Sequence, residues 1–246
     1  MVKNIMQKMW LYLGKGKDIL VNNSHTFGTD AVLLSYFAKP KKHEKVLDIG
    51  TGCGIIPFLW LRDMPLDCSA VEIQQEAYLL AKETAEKNGF NINLFNEDIN
   101  NYENFLEKAS FNLISCNPPY FSKNDGIITN SHDRALQRHD FALTIEDLAK
   151  VSCKLLIFGG RLCICLRPER LFEAASALKK YNLAIKRLRF VCKNKDSAPK
   201  LCLIEGKYGA KEGVLVLPNI ILYENNKDSE EIELIYKEIR NNDKKC

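Results

Sequence analysis

The sequence predicts an α/β fold: a mostly parallel sheet with helices on both faces, completed by a C-terminal antiparallel hairpin. Three observations predict it. From residue 45 onward, short apolar runs alternate with amphipathic segments of helix length. The first run, Lys45-Val46-Leu47-Asp48-Ile49, ends on glycines at alternate positions, as a buried strand does when it turns into a helix. After Lys180 the helical pattern stops. Two extended runs follow, joined by Asn194-Lys195-Asp196-Ser197, which has the composition of a hairpin turn.

The elements can be read in order. Asp18-Ile19-Leu20-Val21 has the composition of a strand. Thr29-Asp30 opens an apolar helix that ends at Pro40, because proline cannot continue it. After the strand 45–49 comes a helix from Ile55 to Arg62, then a strand over Asp67–Glu72. Gln75 to Asn88 places Ala77, Leu80, Ala81 and Thr84 on one helical face, with Asn88-Gly89 as the stop. Ile92–Phe95 and Phe111–Cys116 are the third and fourth strands. Thr144 to Leu156 is a helix with Thr144 as N-cap and Asp147 three residues on. Gly159-Gly160 separates it from a fifth strand, Arg161–Leu166, and Pro168 to Lys180 is a further helix. Ala184–Val191 and Lys200–Glu205 form the hairpin. Val214–Tyr223 is extended but interrupted by Pro218, and Glu230–Arg240 is a terminal helix. With no internal repeat or linker, the expectation is one domain: a lead-in over 1–44, a core over 45–180, and the hairpin, closing strand and helix over 181–246.

Composition excludes several classes. The 246 residues are 46% hydrophobic and 27% charged, as in ordinary globular proteins. No run approaches a membrane span, and the N-terminus lacks a signal-peptide core. Nine cysteines without Cys-x-x-Cys spacing, mostly in apolar runs, read as free thiols in a reducing cytoplasm. The four histidines lack metal-ligand spacing, so no metal is expected. The net charge of +4 is a cancellation: residues 1–45 carry +5, 46–160 carry −7, 161–211 carry +9 and 212–246 carry −3. Basic flanks around an acidic block suggest a polyanionic partner.

The candidate chemistry lies at strand ends. Gly50-Thr51-Gly52-Cys53-Gly54 follows the first strand, where open parallel sheets bind ligands, and glycines there let a ligand approach the backbone. The spacing is not that of the dinucleotide fingerprint. Asp48 beside it would repel a pyrophosphate but suits a cation bearing an amino group. Glu72, at the next strand end, can accept both hydroxyls of a ribose. Asp98 and Ile99, after the third strand, can hold an adenine edge and face. Asn117-Pro118-Pro119-Tyr120 follows the fourth strand. Its prolines fix the backbone, so the Asn117 side-chain oxygen and the Pro118 carbonyl become fixed acceptors for an exocyclic amine, and Tyr120 offers a ring to stack on.

These residues resemble the class I AdoMet-dependent methyltransferases, and among them the amino-group methyltransferases with Asn-Pro-Pro-Tyr. Phe27-Gly28-Thr29-Asp30-Ala31-Val32-Leu33-Leu34, Arg138-His139-Asp140, Ala198–Lys207 and Leu217-Pro218-Asn219-Ile220-Ile221-Leu222-Tyr223 are similar to segments of the bacterial tRNA(Val) adenine-N6 methyltransferases, with Asp140 standing where that family has Glu. The resemblance implies a Rossmann-like, seven-stranded sheet. It implies AdoMet as cofactor, with its methionine end near Asp30 and Gly50, its ribose on Glu72 and Ile73, and its adenine near Asp98 and Ile99; Gly52, Gly54 and Asn117 complete that site. The expected reaction is N6-methylation of an adenine, most simply the one 3′ of the anticodon in a tRNA. Asn117, Pro118 and Tyr120 hold the base, and Arg138, His139, Lys186, Arg187, Arg189 and Lys193 are candidate RNA contacts. A cytoplasmic monomer is expected. The same chemistry on rRNA guanine-N2, a release-factor glutamine or DNA adenine is the alternative. A nicotinamide dehydrogenase is disfavoured by the glycine spacing.

Overall fold

The computed structural model describes residues 7–118 and 143–240. The chain begins with a hairpin, β1 (Met9–Gly14) and β2 (Lys17–Val21), and continues through α1 (Thr29–Ala38), β3 (Lys45–Ile49), α2 (Ile55–Asp63), β4 (Asp67–Val71), α3 (Gln75–Asn88) and β5 (Asn93–Phe95). A 3-10 turn (Ile99–Asn104), β6 (Phe111–Cys116), α4 (Ile145–Leu155), β7 (Leu156–Leu166) and α5 (Leu171–Lys180) follow. The chain ends with β8 (Leu183–Cys192), β9 (Pro199–Tyr208), the short strands β10 (Leu215–Val216), β11 (Ile220–Ile221), β12 (Tyr223–Glu224) and β13 (Lys227–Asp228), and α6 (Glu230–Arg240).

The main sheet has the order β5-β4-β3-β6-β7-β9-β8, with β10 and β11 on the outer edge of β8. All neighbours are parallel except β9, which is antiparallel to both β7 and β8. Among the described residues the sheet therefore has nine strands, not the seven expected. The expected seven are β3 to β9. The extra two come from the run 214–223, which pairs with β8 on both sides of Pro218 and breaks there because proline has no N–H to give. Two hydrophobic clusters cover the faces: one gathers α1, α2 and α3, the other α4, α5 and the 3-10 turn.

Local chemistry explains most boundaries. α3 buries Ala77, Leu80, Ala81, Thr84 and Ala85, and stops where Gly89 takes a left-handed φ of 66°. The Thr144 hydroxyl accepts from Asp147 N–H at 3.0 Å and caps α4, as the sequence implied. β7 departs from expectation. It starts directly after α4 and runs through Gly159-Gly160, whose place is a register shift opposite Phe111–Leu113. A Cβ on Gly160 would lie 2.9 Å from the Ile157 carbonyl and 3.0 Å from that of Phe111, so the glycine allows close backbone approach rather than a break.

The lead-in forms a complete hairpin rather than one strand. Lys15 and Gly16 turn it, with φ of 52° and 71°. It docks on α3: Leu20 N–H donates to Thr84 Oγ1 at 2.9 Å, and Asn88 accepts from Asp18 N–H at 3.0 Å while donating to its carbonyl at 2.7 Å.

The described cysteines are free, and all but Cys153 are buried. Among the described residues, no helix is long and apolar enough to cross a membrane.

Candidate active site

The glycine turn after β3 is held by its neighbours. Gly50 and Thr51 N–H donate to the Val71 carbonyl at 2.9 and 3.1 Å, and Gly52 N–H donates to Glu72 Oε2 at 2.7 Å. Glu72 Oε1 accepts from Gln74 N–H at 2.8 Å. One buried carboxylate thus fixes both the turn after β3 and the one after β4. Gly50, Gly52 and Gly54 have φ of 68°, 59° and 90°. A Cβ on Gly50 or Gly52 would meet nothing within 4 Å, whereas one on Gly54 would lie 2.2 Å from the Phe58 ring. The first two glycines border open space; the third is required for packing at the start of α2. Gly54→Ala should therefore lower the melting temperature by roughly 10 °C or more, through strain and clash together. Gly52→Ala should cost only about 1–2 kcal/mol of backbone strain yet weaken AdoMet binding at least tenfold. Thermal melts and titration calorimetry check both. Equal destabilisation would refute the division of roles.

Asp48 closes β3 with 1% exposure. Its Oδ1 accepts from the Ser115 hydroxyl at 2.5 Å, while its Oδ2 and the Thr51 hydroxyl are buried without a hydrogen-bond partner. Burial pushes its carboxyl up to about 7; the Ser115 hydroxyl opposes this, and the Glu72 charge adds to it. The sign follows from proton linkage. The folded state holds this proton more tightly than the unfolded state, so the group's contribution to stability is full below about pH 4 and falls as pH rises towards 7. Asp48→Asn should melt several degrees above the parent at pH 8, with the gap closing by pH 4–5. A gap independent of pH would rule out an ionised Asp48 as its source. A cation beside Asp48 favours the ionised form, so AdoMet should bind the parent about tenfold more weakly at pH 6 than at pH 8.

The next strand ends supply the other predicted residues. Asn96 Nδ2 donates to the carbonyls of Glu72 at 2.8 Å and Ile73 at 3.2 Å, which holds those two residues between β4 and β5. Asp98 caps the 3-10 turn: its Oδ1 accepts from the Asn100 backbone at 2.9 Å and side chain at 3.0 Å. Ile99 beneath it is buried. Sequence reasoning missed Asn96, Thr51 and Ser115. Ser115 alone left a signal, as a hydroxyl inside the apolar strand Phe111–Cys116.

Asn117 follows β6. Its Nδ2 donates to Asp30 Oδ2 at 2.7 Å, at the first turn of α1. A carboxylate accepts only, so this contact fixes which way the amide faces. The opposite atom, Oδ1, is buried and has no partner among the described residues. An unsatisfied buried acceptor is costly, and one held in place by a charge is suited to take an N–H from a ligand. The resemblance put Asp30 beside the methionine end of AdoMet; its hydrogen bond is to Asn117. Pro118 is buried. Tyr120, Arg138, His139 and Asp140 lie outside the described residues.

The basic candidates divide. Arg187 donates to Glu205 at 2.6 Å and to the Phe37 carbonyl at 3.1 Å, with its guanidinium 4.5 Å from the Phe37 ring centre. Arg189 forms a bidentate pair with Glu231 at 2.8 and 2.7 Å and donates to the Pro218 carbonyl. Both guanidinium groups are engaged inside the protein, which leaves them fewer free donors than the two lysines. Lys186 is half-buried, donates to the Lys211 carbonyl at 3.2 Å and stands towards the amino end of β8, the edge of the sheet away from Asn117. Lys193 is exposed at the carboxyl end, on the same edge as Asn117.

Comparison with known proteins adds four findings. The family described as methyltransferase small domain matches residues 22–181. A Parabacteroides distasonis protein named tRNA1(Val) (adenine(37)-N6)-methyltransferase is 31% identical over 72% of this chain and 75% of its own length. Among solved structures, a predicted O-methyltransferase of Agrobacterium tumefaciens aligns over 86% of this chain and 97% of its own with a TM-score of 0.69 at 16% identity. The Thermus thermophilus 16S rRNA N2 G1207 methyltransferase, in complex with AdoMet and guanosine, aligns over 82% and 50% with a TM-score of 0.56 at 16% identity.

Proposed function

Since the chain belongs to the methyltransferase small domain family, we propose that it transfers a methyl group from AdoMet to the N6 amino group of an unpaired adenine in a tRNA, at the position 3′ of the anticodon. The observation that carries this reading is the buried, partnerless Oδ1 of Asn117, aimed by Asp30. The name of the Parabacteroides relative supports the choice of acceptor.

The residues present fit AdoMet. Gly50 and Gly52 leave room where side chains would intrude, Asp48 and Thr51 keep unpartnered polar atoms there, and Glu72 stands at the adjoining strand end. We assign Asp48, Gly50 and Gly52 to the methionine half, Glu72 and Ile73 to the ribose, and Asp98 with Ile99 to the adenine. When bound, AdoMet supplies a sulfonium methyl group as electrophile.

The chain's own residues prepare the acceptor. An adenine amino nitrogen shares its lone pair with the ring and is a poor nucleophile. Asn117 Oδ1 and the Pro118 carbonyl, accepting its two N–H bonds, draw it towards tetrahedral geometry and stabilise positive charge growing on it. Asp30 polarises the Asn117 amide, which makes Oδ1 a stronger acceptor. The leaving proton needs no dedicated base, so positioning supplies much of the catalysis. An unpaired loop base is cheap to extrude into such a site.

The test is incubation with labelled AdoMet and unmodified tRNA, total RNA, DNA or release factor, followed by digestion. N6-methyladenosine from one tRNA is the expected product. N2-methylguanosine would favour the activity named for the Thermus neighbour, and label only in protein would overturn an RNA substrate. We further propose a cytoplasmic monomer, in keeping with the buried thiols, and a single elution volume at monomer mass checks the second part.

A further inference from the structure

An open groove of about 700 Å³ lies between the turn 193–196, which joins β8 to β9, and the hairpin 223–226. Its two walls are stitched together: Leu222 and Tyr223 N–H donate to the carbonyls of Cys192 and Lys193, each at 2.9 Å. β8 and β11 run parallel to β6 and β7, so the groove opens on the same edge of the sheet as Asn117 and the glycine turn. Three strand spacings, about 14 Å, separate β8 from β6. β8 also runs about four residues beyond the level of Asn117, which puts the groove roughly 20 Å from it.

The lining chemistry is that of a nucleotide site. Tyr223 is 44% exposed and offers a ring face. Lys193 and Lys195 are exposed and take part in none of the ion pairs among the described residues. Asn225 and Asn226 form the tip of the hairpin with φ of 50° and 60°, so their side chains stand at its rim. Asp196 and Glu224 share the groove, which makes it a poor plain phosphate trough. Carboxylates and amides are the groups that read base edges, and a tyrosine face stacks bases of any sequence.

We infer that this groove is a second RNA site, which holds one unpaired nucleotide of the same strand that presents the target base to Asn117: Tyr223 stacks the base, and Lys193 and Lys195 meet its phosphates. The inference rests on the RNA reading above.

The test compares an unmodified anticodon stem-loop with a trinucleotide centred on adenine, too short to reach both places. Tyr223→Ala should raise KM for the stem-loop ten- to a hundredfold, with kcat near the parent's. Tyr223→Phe, which keeps the ring, should match the parent. The double variant Lys193→Ala/Lys195→Ala, on an exposed turn, should reduce the slope of log affinity against log salt by about 2. AdoMet affinity and the trinucleotide rate should stay unchanged in all three. An unchanged stem-loop KM in Tyr223→Ala, or an equal loss on the trinucleotide, overturns the site. If the parent methylates no RNA, the functional reading fails separately. The groove is then judged by stem-loop binding alone, where parent and Tyr223→Ala of equal affinity would dismiss it.

Discussion

Asn117→Ala should leave AdoMet affinity within about threefold of the parent and lower kcat by about 10²–10³, the usual cost of losing one preorganised electrostatic partner of the transition state. The two measurements separate because the side chain faces different ways: Nδ2 is held by Asp30, and Oδ1 is the buried acceptor left for the substrate. Removing it deletes an interaction that strengthens only as charge develops on the acceptor nitrogen. That loss falls on kcat rather than on ground-state binding. Asp30→Ala should give a smaller fall in kcat, about ten- to thirtyfold, because the amide remains but can turn away. Calorimetric titration with AdoMet and single-turnover rates at saturating tRNA read both quantities. Equal losses in binding and turnover for Asn117→Ala would mean that the amide belongs to the cofactor site instead.

Glu72→Ala should weaken AdoMet binding by about 10²–10³ and lower the melting temperature by roughly 5–10 °C. The binding loss combines a ribose acceptor with the support of the glycine turn. The stability loss comes from two backbone N–H groups, Gly52 and Gln74, that lose a charged partner at 2.7 and 2.8 Å. Glu72→Gln separates them. Its amide oxygen can still accept one N–H, so stability should recover about half, whereas two ribose hydroxyls find one acceptor fewer and affinity stays low. Recovery of full affinity in Glu72→Gln would remove the ribose from this side chain and leave Glu72 a purely structural clamp.

The parts legible in the sequence are those decided locally. The Gln75–Asn88 helix could be read to its last residue because Asn88-Gly89 specifies both its polar end and its left-handed stop. The Thr144 cap and the Asn194–Ser197 turn are likewise short-range chemistry. The glycine turn, Glu72 and Asn117 were found because strand ends in a parallel sheet converge on one edge. What escaped depends on distant partners. Nothing near residue 30 announces that Asp30 meets Asn117, 87 positions away. A charge count shows seven basic side chains around β8 but not that Glu205 and Glu231 neutralise Arg187 and Arg189. Gly159-Gly160 looks like a break until the register shows β7 advancing from Leu156 to Arg161 while β6 advances only from Phe111 to Leu113, a bulge within β7 that wants glycine. The first half of the lead-in hairpin escaped because it is held by partners elsewhere in the chain: it pairs with β2, and its Leu13 carbonyl accepts from Arg62 Nη1 at 2.7 Å.

The position of β9 has a consequence for how the protein is made. The strand enters late in the chain but lies between β7 and β8, and it carries their connection across the sheet. While the ribosome is still translating the residues before Pro199, β7 has one naked edge and β8 has no sheet to join. At about 5–20 residues per second, that interval lasts a few seconds. During it the nascent chain offers unpaired, apolar strand edges to whatever is nearby. A premature stop between β8 and β9 should therefore yield an aggregating fragment, even though every residue assigned to the cofactor has already been synthesised.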